Sequence, residues 1–376
     1  MIESLALGLL TIFTMYYVYF ITHIRLGLLS LHIAPSTGFQ PMVSVIIAAR
    51  DEDKSIGQCL QSLVQQTYLT NKYEIIIVDD GSQDNTASIV RSFSERYSNV
   101  HLLSLPVGTE RGTGRKPFAI AKGINQATGE IILTTDADCI VPPRWIEIMA
   151  NHFEDNITLV AGPVAEQGSA NFFSKLEQLE FLGLITTAAG LIGSGRPIIC
   201  NGANLGYRKN AFNSVGGFGD NGSSNDDESL MNRMVQRKIG RIAFAPESDA
   251  VITTQSSNTM ISFLKQRIRW ANKRGHYEDK SILITLVSLY LFFLSLVLMV
   301  LLIPLEQKLL LPVIIAFGGK VIVDYFTLRS GARLFLQHVP IFHFLIAEVL
   351  HVPYIVIAAA IGQISSMQWK GRTIRR

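Results

Sequence analysis

Two carboxylates that follow an apolar run are the first residues whose type and spacing could do chemistry. The run at residues 131–133 leads into Asp136 and Asp138 within the stretch EIILTTDADCIVPP. On an extended chain, side chains alternate with a period of two, which would place both carboxylates on one side. Such hard oxygen ligands suit Mg²⁺ or Mn²⁺, which complete their coordination with water and substrate phosphate. The pair therefore predicts a metal and diphosphate site, with a turn or a helix cap as the alternative.

Carboxylates also follow two strands that are predicted upstream. The apolar runs MVSVIIAA (42–49) and YEIIIVDD (73–80) flank the helical pattern SIGQCLQSLVQQ, which indicates βαβ units and a mostly parallel sheet. Arg50 and Glu52 follow the first strand and Asp80 ends the second. Ligands of open α/β sheets bind at the carboxyl ends of the strands, so we expect these groups to share one cleft.

Composition restricts the class of protein. Of the 376 residues, 48% are hydrophobic and only 17% are charged, against about 25% in an average globular domain. Part of the chain is therefore expected to contact lipid. The net charge of +3, with no basic band, argues against nucleic acid as a partner. Three widely separated cysteines predict neither a disulfide framework nor a zinc site.

Four segments are apolar over roughly the 20 residues that a membrane span needs. They cover residues 4–24, 281–303, 309–328 and 341–362. The first lacks a basic start and an A-x-A cleavage site, so it predicts an uncleaved anchor. We expect an anchor at 1–27, an α/β domain at 41–275, and a membrane region at 280–376 with two or three spans and a basic tail.

The topology of these spans contains a conflict. Lys273 and Arg274 precede the second span and place the middle domain in the cytoplasm. Three full spans would then put the basic tail QWKGRTIRR outside, so either the rule is broken or one segment is re-entrant or interfacial. We suspect 309–328, because it contains Lys320 and Asp324, which are four residues apart and predicted to pair on one helix face.

Six motifs in order resemble the family 2 glycosyltransferases. They are VSVIIAARDE, IIIVDDGSQDNT, TGEIILTTDAD, NGANLGYRKNAFNSVGGF, NDDESL and KQRIRW. The closing QWKGR is similar to the tail of membrane-bound members. The resemblance is dense over about residues 41–270. It implies a GT-A fold with a mostly parallel central sheet, flanked by N-terminal and C-terminal transmembrane helices, and inverting transfer from a nucleotide-diphosphate sugar.

The resemblance assigns donor-binding roles residue by residue. By this resemblance Arg50 and Glu52 line the base and ribose, and Asp80 contacts the base. Asp136 approaches the ribose or the diphosphate, and Asp138 binds the Mg²⁺ or Mn²⁺ ion.

A lysine and an acidic pair complete the catalytic part of the resemblance. Lys116 lies where the family places a basic contact to the nucleotide, although a solvated loop lysine is an equal alternative. The motif NDDESL departs from the usual Glu-Asp by having Asp226 before Asp227. Asp227 aligns with the base that takes the proton from a sugar hydroxyl. Asn225 or Asp226 is also a plausible cap for the helix that follows.

Four more residues are assigned to the acceptor and diphosphate, together with Asp226. Asn204 lies in the motif NGANLGYRKN, and Gln266, Arg269 and Trp270 lie in QRIRW. Arg269 offers planar donors for a phosphate and Trp270 an apolar plate for a sugar ring. The alternative is a basic interfacial helix in which Arg267 and its basic neighbours extend to the lipid headgroups.

Three functions remain open on the sequence. The first is a transferase in the cytoplasmic membrane that moves a sugar from a donor expected to be UDP-linked to a lipid-linked or saccharide acceptor for cell-envelope glycans. The second is a processive polysaccharide synthase, and the third is an inactive nucleotide-sugar-binding scaffold.

The stretch GTERGTGRK lacks the spacing of a P-loop. Residues 171–191 form either a core helix or a helix that lies against the membrane near the acceptor.

Overall fold

The computed structural model describes residues 2–376 except 36–37, 39, 107–115, 169–170, 220–226, 258–259, 261–262, 265, 268–279, 365–366, 370–371 and 375–376. The helices are α1 (Ile2–Leu29), α2 (Ile56–Val64), α3 (Thr86–Arg96), α4 (Lys116–Gln126), α5 (Trp145–Asn151), α6 (Phe172–Gly193), α7 (Lys209–Ser214), α8 (Asp227–Gln236), α9 (Lys280–Leu302), α10 (Leu310–Leu334) and α11 (Ile341–Ile364). The strands are β1 (Val43–Ala49), β2 (Tyr73–Asp79), β3 (Val100–Ser104), β4 (Ile131–Thr134), β5 (Ile157–Ala161), β6 (Val164–Gln167), β7 (Leu205–Arg208), β8 (Arg241–Phe244), β9 (Ile252–Gln255), β10 (Met367–Trp369) and β11 (Arg372–Ile374).

The main sheet has the order β3-β2-β1-β4-β7-β5-β8. Strands β3, β2, β1 and β4 are parallel, whereas β7 is antiparallel to both β4 and β5. In the central register Val45 pairs with Ile75 and with Leu133. All three side chains are fully buried, because parallel strands carry helices on both faces and so read as continuous apolar runs. The prediction of a mostly parallel α/β sheet is confirmed.

A second, two-stranded sheet was not predicted from the sequence. Strands β6 and β9 run parallel, with Glu166 opposite Thr254 and Gln167 opposite Gln255. The partners are about 90 residues apart in sequence, so no local pattern connects them. This small sheet forms part of the wall of the site described below.

The chain around the DAD motif differs from the extended geometry that was expected. Strand β4 ends at Thr134, and the backbone N–H of Cys139 donates to the carbonyl of Asp136 at 3.1 Å. Asp136 and Asp138 therefore lie at a turn, where the period-two rule for extended chain does not apply. The expectation that they share one side of a strand is wrong, although both line the same cavity.

Four helices of the described chain are long and apolar enough to cross a membrane. They include Ala6–Leu29, Lys280–Leu302, Gln307–Leu334 and Ile341–Ile361. The third contains α10, which is continuous over 25 residues. A span needs about 20 residues, so its length gives no support to a re-entrant or interfacial arrangement.

Charged groups inside these helices satisfy one another. The Nζ of Lys320 donates to Asp324 at 2.9 Å, which confirms the predicted pair on α10. Lys320 is fully buried and also bonds Glu348 of α11. The hydroxyl of Tyr17 on α1 donates to Asp324 at 2.8 Å. Three apolar helices are therefore joined through one buried cation.

Helix α6 connects the α/β domain to the apolar helices. It starts at Asn171, whose side chain accepts from the N–H of Ser174 at 2.7 Å. Near its end Gly190 packs so closely on α1 that an added Cβ would lie 2.4 Å from the carbonyl oxygen of Ile24. Helix α6 also packs on α10 and α11. Of the two alternatives for residues 171–191, the structure supports the core helix, because Leu179, Phe181 and Ile185 are buried in the main hydrophobic core.

Candidate active site

Most of the predicted site residues line one cavity at the carboxyl edge of the sheet. The cavity has a volume of about 290 Å³. Its walls include, among the predicted residues, Arg50, Glu52, Asp80, Lys116, Asp136, Asp138 and Gln266. These residues follow β1, β2 and β4 or lie on the elements around them, so the parallel arrangement of the strands brings them together.

The loops after β1 and β2 hold each other in place. The guanidinium of Arg50 lies 3.6 Å from the carboxylate of Asp80, and the N–H of Asp80 donates to Ala49 at 2.9 Å. Asp51 has a positive φ of 52°, and its carboxylate accepts from the N–H of Gln83 at 2.8 Å. The ion pair fixes a planar cation and a carboxylate at the cavity wall, where both can meet a polar ligand.

Lys116 is the first residue of α4 and bonds the carboxylate of Asp136. Burial alone would lower the pKa of Lys116, but the charges of Asp136 and Asp227 raise it above its ordinary value. The lysine is therefore a cation at neutral pH, and it lies in the cavity wall instead of in a solvated loop.

Asp138 lies where negative charge accumulates. Burial raises the pKa of Asp138, and the charges of Asp136 and Glu52 raise it further. A bound cation would remove this repulsion, so the residues fit a divalent metal. Among the described residues, no cluster of three or more His, Cys, Asp or Glu could hold an ion alone. Oxygens of a substrate would have to complete the coordination, as is usual for Mg²⁺.

Asp227 is the first residue of α8, where the helix dipole stabilises a negative charge. Its carboxylate packs on the Cα of Gly202 so tightly that an added Cβ would lie 1.8 Å from Oδ2. The carbonyl of Gly202 accepts from the hydroxyl of Thr134 at 3.1 Å. A glycine at 202 is thus required for this position of Asp227, whose charge also acts on Lys116.

Asn204 does not line the cavity. It is fully buried, and its Oδ1 accepts from the indole N–H of Trp145 at 2.9 Å. Its Nδ2 donates to the carbonyls of Pro163 at 2.8 Å and Ala250 at 2.9 Å. Every hydrogen-bonding group of the side chain is engaged, so in this structure Asn204 holds the framework together and has no group left for the expected contact to acceptor or diphosphate.

The QRIRW segment is described only in part. Asp226, Arg269 and Trp270 lie outside the described residues. Gln266 lines the cavity, and its Oε1 accepts from Arg267 at 2.9 Å. Arg267 is buried and pairs with Glu180 of α6, with Nε to Oε1 at 2.8 Å. The suggestion that Arg267 extends to the lipid headgroups is therefore wrong, since a carboxylate holds it inside the protein.

The sequence did not single out several residues that the structure places in the cavity wall. They are Val164, Glu166, Phe181, Asn201, Thr254 and Gln255. One signal was present for Glu166, because it is an ionisable residue at the end of the apolar stretch LVAGPVAEQ. Thr254 carries no such signal, because it faces the cavity only through the pairing of β9 with β6.

Sequence comparison matches two family models. Residues 44–216 match the model described as glycosyl transferase family 2, and residues 131–361 match glycosyl transferase family group 2. Among curated relatives, glycosyltransferase AglE of Haloferax volcanii is 39% identical over 111 residues, 30% of this chain and 35% of that protein. Beta-monoglucosyldiacylglycerol synthase of Synechocystis is 25% identical over 256 residues, 65% of this chain and 49% of that protein. Relatives also include lipid-linked sugar transferases and polysaccharide synthases.

The matches cover about a third to half of these two relatives' own length. A structural neighbour extends over the whole chain. The mannosyltransferase PcManGT from Pyrobaculum calidifontis, solved in complex with GDP-Man and Mn²⁺, superimposes with a TM-score of 0.64 at 19% identity and covers 97% of this chain and 99% of that one. At this identity the likeness shows the fold, which is GT-A with apolar helices at both ends. The larger match covers more than half of the sequence, so the chain belongs to the glycosyl transferase family group 2, and its residues 44–216 also match the family 2 model.

Proposed function

We propose that this protein is a membrane-anchored inverting glycosyltransferase. It moves a sugar from a nucleotide-diphosphate sugar, UDP-linked in our proposal, to a lipid-linked or saccharide acceptor in cell-envelope glycan synthesis. The observation that carries the proposal is the convergence of Arg50, Asp80, Lys116, Asp136 and Asp138 on one cavity beside helices that can span a membrane.

The donor side of the proposal rests on the charges around β1, β2 and β4. Arg50 and Glu52 bind the base and ribose, and Asp80 orients Arg50 through their ion pair. Lys116 neutralises the diphosphate, a role consistent with its raised pKa. Asp138, with Asp136 nearby, would hold Mg²⁺ or Mn²⁺. Such an ion would stabilise the charge that grows on the leaving diphosphate, and the Mn²⁺ in the PcManGT complex supports this choice.

The acceptor side centres on Asp227. An acceptor hydroxyl must lose its proton as it attacks the anomeric carbon, and a positioned carboxylate is a suitable base. The carboxylate of Asp227 is held against Gly202. Attack opposite the leaving diphosphate in one step inverts the anomeric centre.

The apolar helices support a membrane location for this chemistry. In our proposal residues 1–27 form an anchor, residues 41–275 the catalytic domain, and residues 280–376 a second membrane region. The catalytic domain is cytoplasmic in our proposal, which the basic residues before α9 support. Helix α6 packs on α1, α10 and α11 and contributes Phe181 to the cavity, so a membrane-borne acceptor would reach the site along it.

Release of nucleoside diphosphate from a panel of UDP-, GDP- and dTDP-sugars tests the proposal. The full chain is placed in lipid with Mn²⁺ or Mg²⁺, beside Asp227→Asn, Asp138→Ala and the exposed control Asp155→Asn. We expect one donor to be turned over. Asp227→Asn should bind this donor but lose transfer, and Asp138→Ala should lose metal-dependent donor binding.

Product size, read by mass spectrometry, separates single transfer from polymer synthesis. Full activity of Asp227→Asn would remove that residue as the base. Turnover and donor binding unchanged in Asp138→Ala would remove the metal assignment. If the wild type released no nucleoside diphosphate from any donor and calorimetry detected no donor binding, the proposal that the protein is a glycosyltransferase would be contradicted.

A further inference from the structure

Two carboxyl groups near the cavity have no role in the proposed donor or base machinery. Glu166 is the next-to-last residue of β6, is 7% exposed and lines the cavity. Glu177 of α6 is 1% exposed. One oxygen of each, Oε2, accepts no hydrogen bond from any residue that the structure describes. A buried polar atom left without a partner is costly, so this pair calls for a ligand or a proton.

The surroundings favour a proton on Glu166. Within the described residues, the charged groups that act on it are Glu177 and Glu180 of α6 and Arg267 of the QRIRW segment. Arg267 is held by Glu180 and Gln266. Burial, and after it the charge of Glu177, raises the pKa of Glu166 to about 8. At neutral pH Glu166 is therefore a neutral acid with one O–H donor and one carbonyl acceptor.

The neighbouring wall offers neutral hydrogen-bonding groups. Thr254 lies opposite Glu166 in the β6–β9 register, and Gln255, Gln266 and Asn201 line the same cavity. Phe181 adds an apolar surface. Neutral donors and acceptors beside an aromatic ring suit sugar or glycerol hydroxyls.

The same wall does not suit an anion. The lysine and arginine that line the cavity, within the described residues, are Arg50 and Lys116, which pair with Asp80 and Asp136. A phosphate monoester placed beside Glu166 would face the carboxylate of Glu177, while the nearby Arg267 is already paired with Glu180. Like charges in a buried site repel strongly.

We propose that Glu166 binds the acceptor, and that the acceptor presents a hydroxyl of a sugar or a glycerol, not a phosphate monoester. This inference rests on the proposed function, because it names the substrate class of the same site. The acceptor hydroxyl oxygen attacks the anomeric carbon and forms the new glycosidic C–O bond. Its proton passes to Asp227, and the C–O bond between the anomeric carbon and the leaving diphosphate breaks. Glu166 would hold a second hydroxyl of the acceptor and fix its orientation.

The test compares acceptors and variants in the full chain in lipid. Labelled sugar transfer from the active donor is measured to vesicles with diacylglycerol or glucosyl-diacylglycerol, to vesicles with polyprenyl phosphate, and to a soluble oligosaccharide. The variants are Glu166→Ala, Glu166→Gln and the exposed control Glu154→Gln. The two hydroxyl arms distinguish a lipid-borne acceptor from a free saccharide, and either result supports the proposal.

We expect Glu166→Ala to raise the acceptor KM about tenfold, as for the loss of one buried hydrogen bond, with the donor KM unchanged. Glu166→Gln keeps a donor and an acceptor and should restore most of this loss. Wild-type transfer should also decline as the pH rises through about 8, where Glu166 ionises, and Glu166→Gln should lack this decline.

Two outcomes overturn the inference while the proposed function stands. One is transfer to polyprenyl phosphate with none to the hydroxyl acceptors. The other is an acceptor KM in Glu166→Ala equal to that of the Glu154→Gln control. Absence of turnover and binding for every donor overturns the proposed function and this inference together.

Discussion

Replacing Gly202 by alanine should displace the carboxylate of Asp227 and reduce sugar transfer far more than donor binding. The new Cβ would lie 1.8 Å from Oδ2 and 2.5 Å from Cγ of Asp227, whereas ordinary contact begins near 3.4 Å. The backbone at 202 is held by the hydrogen bond from Thr134, so the side chain of Asp227 has to move. The clash predicts a displacement of the carboxylate by about 1.5 Å.

The size of the effect follows from this displacement. A misplacement of about 1 Å in a catalytic arrangement can cost about 100-fold in rate, and a general base contributes about 10²–10⁴-fold. We therefore expect kcat to fall about 100-fold, which corresponds to about 2.7 kcal/mol. Arg50 and Asp80 follow other strands and keep their positions, so the donor dissociation constant should change by less than about twofold.

The assay is nucleoside diphosphate release at saturating donor, with donor binding measured by calorimetry and folding by thermal melting. Gly57→Ala is the matched control, because its new Cβ meets nothing closer than Ile89 Cγ2 at 3.9 Å. This site is inside α2, where alanine in place of glycine should add about 0.5–1 kcal/mol to stability. The control should keep wild-type turnover.

A folded Gly202→Ala variant with wild-type turnover would refute the reasoning, because it would show that the position of Asp227 is not needed. Combining Gly202→Ala with Asp227→Asn gives a second check. If the glycine acts through Asp227, the double variant should be no slower than Asp227→Asn alone. Independent multiplication of the two losses would show that Gly202 acts elsewhere.

Three further predictions concern stability and are read from melting in lipid or detergent. Asn204→Ala removes three buried hydrogen bonds and leaves the indole N–H of Trp145 without its partner, so it should destabilise the chain by about 3 kcal/mol; an unchanged melting temperature would contradict the framework role. Lys320→Met leaves the buried Glu348 and the partly buried Asp324 without their cation and should cost about 3–5 kcal/mol, whereas the exposed Lys308→Met should cost almost nothing. For Glu166, the folded pKa of about 8 lies above the ordinary 4.5, so its protonation stabilises the fold at low pH and this stability is lost as the pH rises from about 4.5 to about 8. Glu166→Gln should therefore gain stability relative to wild type over that window, by at most on the order of 4 kcal/mol, and a constant difference across it would show that Glu166 does not titrate there.

Local patterns in the sequence were sufficient to predict three strands of the main sheet and the polar residues that follow them in the cavity wall. The apolar runs that form β1, β2 and β4 were identified because strands buried on both faces need continuous Val and Ile. The pairing of Lys320 with Asp324 followed from the helical repeat alone. Residues that follow parallel strands meet at one edge, so the joint position of Arg50, Asp80 and Asp136 was predictable.

The expectations that failed depended on how chain segments approach one another. Asn204 stands beside Ala203, a cavity-lining residue, yet its own side chain turns inward to Trp145. Arg267 lies in a basic segment that is typical of a membrane interface, but it pairs with Glu180 of α6, which is 87 residues earlier in the chain. Residue spacing in the sequence cannot predict these contacts, because they depend on where whole helices pack.

By itself, the sequence determined strands β1, β2 and β4, the helix between β1 and β2, the apolar helices at both ends, and the acidic and basic groups that follow the strands. Only the tertiary structure decided that β6 pairs with β9, that Glu166 enters the cavity wall, and that Gly202 lies under the carboxylate of Asp227. The physical reason is range. Periodicity and turn chemistry act over a few residues, whereas the burial of a lone carboxyl or the absence of a Cβ becomes decisive only when distant backbones come into contact.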